Sequence, residues 1–278
     1  MLDCQTAYKE LSGHVFSEEK SGANRYDVNV LEESIKKILH DAGESDQSLM
    51  LENRSDSPKT FVVAKRHLSQ DSAPVLFKSY EVDGTEILCT VLEAARATSA
   101  APTYFPPQEI EDDQYVDGGI GYNNPAEEAL REARRIWPTR EVGCMLSIGT
   151  GLMEPISGAS KTKEQFGGIL GTVMQNVAPL TAEKLTVAAY CTELATSCQM
   201  VHMSLIEHPL LQKRTPKARY YRFNVTSGMS HIGLQESTKL REISQLTDAY
   251  LRDPERREMV TDCVELLASE PALRAAIG

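Results

Sequence analysis

The sequence predicts an α/β fold, and three observations carry that prediction. From about residue 60 onward, short β-rich runs alternate with segments of helical periodicity. One of those runs, Gly143 to Ile148, is apolar almost throughout, the pattern of a strand buried on both faces of a sheet. The chain has 278 residues, 41% of them hydrophobic and 25% charged, which is enough for a substantial core and close to the composition of globular proteins. There is no internal repeat or low-complexity stretch. The basic cluster Lys213, Arg214 and Lys217 between Pro209 and Pro216 reads as a solvated loop, so the chain is expected to form a single domain.

Taken in order, the first element is a helix from Leu2 to Phe16, with Ala7, Tyr8, Leu11 and Val15 at helical spacing. A second is marked by Leu31, Ile35, Ile38, Leu39 and Ala42 and closed by Gly43, and the polar stretch Glu44 to Lys59 follows as a loop. Strands are expected at Thr60 to Ala64 and Pro74 to Tyr80, then a helix from Leu88 to Ala100 that Pro102 terminates. Gln114 to Val116 reads as a short strand, Pro125 to Arg135 as a helix and Gly143 to Ile148 as a strand. Helices at Gln165 to Asn176 and Ala182 to Cys198, a strand at Tyr220 to Val225, and helices at Glu236 to Leu251 and Glu255 to Ala268 complete the chain. The motifs concentrate between residues 60 and 151, and the part from about 160 to 278 is mainly helical.

Charge and composition exclude several functions. A net charge of -11 with no lysine or arginine stripe argues against nucleic acid, whose phosphates demand a concentrated basic surface. The same acidity disfavours constitutive adsorption to anionic membranes, while transient contact with a lipid surface stays open. No apolar run approaches the roughly 20 residues that span a bilayer, and no signal segment opens the chain, so a cytoplasmic location is expected, at most peripheral to membranes. The six cysteines form no CxxC pair and read as reduced thiols packed as small hydrophobes. The six histidines are dispersed, without HExxH or HxH, so neither a metal nor another cofactor is expected.

Three linked features carry chemistry. The run Arg96-Ala97-Thr98-Ser99-Ala100-Ala101-Pro102-Thr103-Tyr104-Phe105 has small residues that let a helix end approach neighbouring backbone, and a proline that forces the chain into an extended segment. Asp117 then follows an apolar strand and precedes Gly118 and Gly119, so a carboxylate is presented at a strand end, where ligands of α/β folds gather. Taken alone, Asp-Gly-Gly is also an ordinary tight turn. Asn124 and Pro125 match an N-cap and first helical position, with Glu127 and Glu128 suited to the helix dipole, and the amide of Asn123 could hydrogen-bond Asp117. The turn Ser147-Ile148-Gly149-Thr150-Gly151 fails the dinucleotide fingerprint, because Glu154 stands at the third glycine position and Pro155 interrupts the helix that should follow.

In their order, RATSAAPTYF, YVDGG, NNP and SIGTG resemble the patatin-like phospholipase family, its fungal-type members above all. The resemblance extends to the Ala7–Leu11, Phe61–Ala64, Leu76–Tyr80 and Tyr221–Asn224 runs and so covers most of the chain. It implies a three-layer α/β fold, a sheet flanked by helices, that cleaves acyl ester bonds of phospholipids and related lipids by a serine–aspartate dyad without calcium. Asp117 matches the dyad aspartate, the general base, with Gly118, Gly119, Asn123 and Asn124 as supporting motif residues. The family's oxyanion loop and G-x-S-x-G elbow precede the region where this chain begins, and the sequence contains no G-x-S-x-G. Ser147 lies inside a strand and Ser230 has Ile232 where the second glycine should stand, so no nucleophile is expected in this chain. The implication is one partial domain over residues 1–278, N-terminally truncated and inactive as it stands. The alternative it leaves is a silent module that binds lipid or a protein partner.

Overall fold

The structure, a computed structural model, describes residues 4–22, 24–52, 57–68, 73–82, 84, 86–151, 187–212, 219–229, 232 and 236–268. It is mixed α/β, as expected, and its chain divides into two compact units: Met1–Tyr122 with Pro155–Glu193, and Asn123–Glu154 with Leu194–Gly278.

In the first unit α1 (Cys4–Val15) and α2 (Val28–Asp41) precede two strands, β1 (Phe61–Arg66) and β2 (Val75–Lys78). Next come α3 (Val91–Thr98), β3 (Gln108–Ile110), β4 (Asp113–Asp117) and a one-turn helix α4 (Gly119–Tyr122). The strands form an antiparallel sheet in the order β2-β1-β4-β3, with Ala64 opposite Asp117. β3 is an element the sequence reading lacks: three residues are too few to show an alternation, and only the pairing with β4 defines them.

α3 holds this unit together because it packs on two sides. Ala94 and Ala97 lie against Ala64, Phe77 and Tyr115 of the sheet. Val91, Leu92 and Ala95 face a second cluster built from Val15, Tyr26, Leu31, Ile35, Leu39, Tyr104 and Phe105. The helix begins at Val91 rather than near Leu88, since Thr90 and Glu93 form a capping box that sets its first turn. In α1, Leu11 and Val15 turn inward as expected, but Tyr8 is exposed; Ser12 takes the buried position instead and bonds the Lys9 carbonyl.

The second unit contains α5 (Ala126–Ile136), β5 (Met145–Ile148), the part of α6 (Val187–Glu207) from Leu194 on, and β6 (Tyr220–Phe223). After a 3-10 turn at Ser237–Lys239 come α7 (Leu240–Arg252) and α8 (Pro254–Leu267). β5 and β6 pair in parallel, Met145 with Tyr220 through Ile148 with Phe223. Ala126 and Leu130 of α5 and Leu205 of α6 pack with Met145 and Tyr220 on one side of this ribbon. On its other side Leu146 and Ile148 are exposed, Ile148 by 75%, which corrects the expectation of burial on both faces: an unbroken apolar run does not by itself cover a strand. α6 runs nine residues past Cys198, the expected end. The helix expected at Gln165 to Asn176 lies outside the described residues. Cys144 and Cys263 bring their sulfurs to 3.9 Å, well beyond the roughly 2.05 Å of a disulfide.

Candidate active site

Asp117 is the last residue of β4, and its position follows from backbone contacts that only small residues permit. Ala97 and Ala100 are fully buried, so the end of α3 comes close enough for the Asp117 N–H to donate to the Ala100 carbonyl at 3.0 Å. Thr98 Oγ1 donates to the Val63 carbonyl at 2.6 Å. Gly118 lies against the same peptide: a Cβ there would stand 2.6 Å from the Val63 oxygen and 2.8 Å from its carbon. The second residue of the Asp-Gly-Gly triplet is therefore glycine because β1 occupies the space a side chain would need.

The carboxylate itself is held from one side. Gly119 N–H donates to Asp117 Oδ1 at 2.7 Å, at the first residue of α4, and the α4 turn closes with Tyr122 N–H on the Gly118 carbonyl. Burial raises the Asp117 carboxyl from 3.8 to about 6, and the Gly119 hydrogen bond opposes that rise. A carboxylate with that pKa is mainly ionised at neutral pH yet more basic than an exposed aspartate, the condition a general base requires.

The segment after α3 is shaped by its own constraints. Thr103 has a φ of +72°, a left-handed conformation that a β-branched residue rarely adopts. It is fixed there by Arg25 N–H on the Thr103 carbonyl at 2.8 Å, and Tyr26 N–H on the Tyr104 carbonyl continues the clamp. Arg96, which opens the alanine-rich motif, is only 2% exposed. Its guanidinium donates to Glu32 and to the Pro106 carbonyl and lies over the Phe105 ring. Nothing local in the sequence distinguishes an arginine buried through tertiary contacts, such as Arg96, from one on a helix surface.

Asn123 and Asn124 belong to the second unit, and both are occupied there. Asn123 Nδ2 donates to Cys198 Sγ at 3.2 Å, and Asn124 Nδ2 donates to the Cys198 carbonyl at 3.3 Å. Asn124 Oδ1 accepts from buried Ser147 Oγ at 3.2 Å and from Ala126 N–H at 3.4 Å. The expected cap is thus shifted by one residue: α5 starts at Ala126 with Pro125 at the cap position, and Asn124 links the helix start to β5. Ser147 is buried and also accepts from Arg222 Nη1 at 2.6 Å.

Fold and site together define a class: a mixed α/β protein that presents a carboxylate of raised basicity at a strand end, against backbone too close for any side chain. Residues 15–130 match the family model for patatin-like phospholipase. The chain is similar to calcium-independent phospholipase A2-gamma of Mus musculus, 26% identical over 80% of this chain and 27% of that protein. The Rattus norvegicus protein of the same name is 32% identical over 55% of this chain and 21% of its own length. Phospholipase A I of Arabidopsis thaliana is 30% identical over 53% of this chain and 10% of that protein. The chain therefore spans about a quarter of the length of the mammalian relatives and a smaller share of the plant one.

Proposed function

We propose that this chain is the aspartate-bearing part of a patatin-like lipid acyl hydrolase acting on ester bonds of phospholipids. The observation that carries the reading is the Asp117 carboxyl, raised to about 6 at the end of β4 and oriented by the Gly119 N–H. Asp117 is the general base that takes the proton of a serine hydroxyl as it attacks the acyl carbonyl. Gly118 and Gly119 set its position, Asn123 and Asn124 support the neighbouring chain through Cys198 and Ser147, and the chemistry needs no metal. The two units are parts of one patatin-like domain, since the chain passes between them at residues 122–123, 154–155 and 193–194. Among the described residues no helix is long and apolar enough to cross a membrane, and we place the protein in the cytoplasm with peripheral access to lipid.

A second reading rests on a specific observation: the sequence contains no G-x-S-x-G, so the chain as it stands lacks the nucleophile and would serve as a silent lipid- or protein-binding module. Fatty acid release from phosphatidylcholine vesicles separates the two, measured on the 278-residue chain and on the intact native protein from its source cells. Hydrolysis by the native protein that disappears on Asp117→Asn supports the first reading. Activity retained by that variant removes Asp117 from the role of base, and a native protein without hydrolysis leaves the silent module.

A further inference from the structure

The closing pair of helices is held to the second unit by few buried side chains. Among the described residues α7 fully buries none, and α8 buries one, Cys263. The apolar side chains of α8 are otherwise poorly covered: Val264 and Leu267 are exposed, and Met259, Val260 and Leu266 are half-buried.

What Cys263 meets is a second cysteine. Its Sγ lies 3.9 Å from Sγ of Cys144, the residue just before β5 and 119 positions away in the chain. At that separation the two are thiols in contact, and nothing stands between the sulfurs. Cys198, another buried thiol of this unit, meets Asn123 instead.

Two thiols in contact are the reactants of a disulfide, and both ends of this pair can give. The sulfurs must approach by about 1.9 Å to reach bonding distance. Cys144 stands ahead of the paired residues of β5, which begin at Met145, and α8 has no other fully buried side chain to resist a small shift. The two also differ in access. Cys144 is half-buried and Cys263 only 3% exposed, so a small reagent meets Cys144 first. Burial, with the neighbouring thiol, pushes Cys144 up to about 12, so the reactive thiolate is scarce at neutral pH. Exchange at this pair is slow, which suits a lock that settles with the surrounding redox balance rather than a rapid sensor.

We propose that Cys144 and Cys263 are a reversible modification site, a dithiol that oxidised glutathione converts to a disulfide fastening α8 to the start of β5. Cys144, as thiolate, attacks one sulfur of the glutathione disulfide and expels one glutathione, which takes up the proton that Cys144 released. Cys263 then loses its proton, attacks Cys144 Sγ and expels the second glutathione, which is protonated in turn. Two protein thiols are oxidised to one disulfide, and one glutathione disulfide is reduced to two thiols. The new bond closes a loop across 119 positions, and in chain-entropy terms long loops gain most from closure.

Peptide mapping of the 278-residue chain tests this. The native chain is equilibrated with glutathione buffers from fully reduced to fully oxidised, and its remaining thiols are alkylated before digestion. The expected product is a Cys144–Cys263 linked peptide, about 2 Da lighter than the sum of its two parts. It should rise with the oxidised fraction, vanish with dithiothreitol and be absent from Cys263→Ser. The linked chain should melt at least about 5 °C above the reduced one. A stable glutathione adduct on Cys144 without the linked peptide, linkage of either cysteine to a different one, or linkage that forms only in urea overturns the site. Linkage with an unchanged melting temperature overturns the fastening of α8. The wild-type map decides the matter even if Cys263→Ser fails to fold, and no readout involves Asp117 or ester hydrolysis.

Discussion

Replacing Asp117 with asparagine should make the protein more stable at neutral pH, by an amount that the position of the carboxylate fixes. The carboxyl titrates near 6 in the folded chain and near 3.8 when exposed, and burial causes the difference. Below pH 3.8 both states hold the proton and the aspartate carries no penalty. As pH rises toward 6 the unfolded chain releases its proton first, so the folded state loses stability through that window and regains none above it. At about 1.36 kcal/mol per pH unit the full loss is about 3 kcal/mol. Asparagine has no charge to bury and keeps an oxygen for the Gly119 N–H, so its stability carries none of this dependence. The assay is urea unfolding followed by circular dichroism at pH 4, 5, 6 and 7, comparing wild type with Asp117→Asn. The stability difference should move in favour of the variant by about 2.4 kcal/mol between pH 4 and pH 7, since part of the loss is already present at pH 4. A difference that stays constant across those four pH values refutes the claim that Asp117 is a half-buried carboxylate of raised basicity.

Two further outcomes follow from the geometry. Gly118→Ala places a methyl group 2.6 Å from the Val63 carbonyl oxygen, a backbone atom that cannot rotate away, so it should destabilise the chain by about 1–3 kcal/mol in the same unfolding assay; wild-type stability would show that β1 yields at that point. Ile148→Thr, or Leu146→Thr, replaces an exposed apolar side chain on the outer face of β5 and should raise soluble yield without lowering the melting temperature, and a melting temperature that falls would mean that this face is covered in solution.

Elements set by local signals were legible in the sequence. α2 shows its apolar stripe and ends at Asp41, two residues before Gly43, which takes a φ of +85°. The Asp-Gly-Gly triplet announced a strand end, and the alanines of the RATSAAPTYF run announced a close approach, realised as the Asp117–Ala100 hydrogen bond. What was not legible depends on residues distant in the chain. The reason for glycine at 118 is the Val63 peptide, 55 positions earlier in the chain, and no reading of the triplet itself reveals it. Asn123 and Asn124 looked like a local cap and a partner for the aspartate. Their partners include Cys198, which no local pattern connects to them, and Ser147. The outer face of β5 was misjudged because hydrophobic character records what a strand would favour, while coverage depends on what is packed against it.

The contact between Gly118 and Val63 also constrains how this site can change by descent. Most tight packing is side chain against side chain, and a lineage can escape it by compensating pairs of substitutions. Here the nearest neighbour of position 118 is main chain, identical whatever residue occupies position 63. No substitution at 63 removes that carbonyl, so an enlarged residue at 118 has no single-step rescue. Position 118 should therefore remain glycine even in descendants that have discarded the acid beside it.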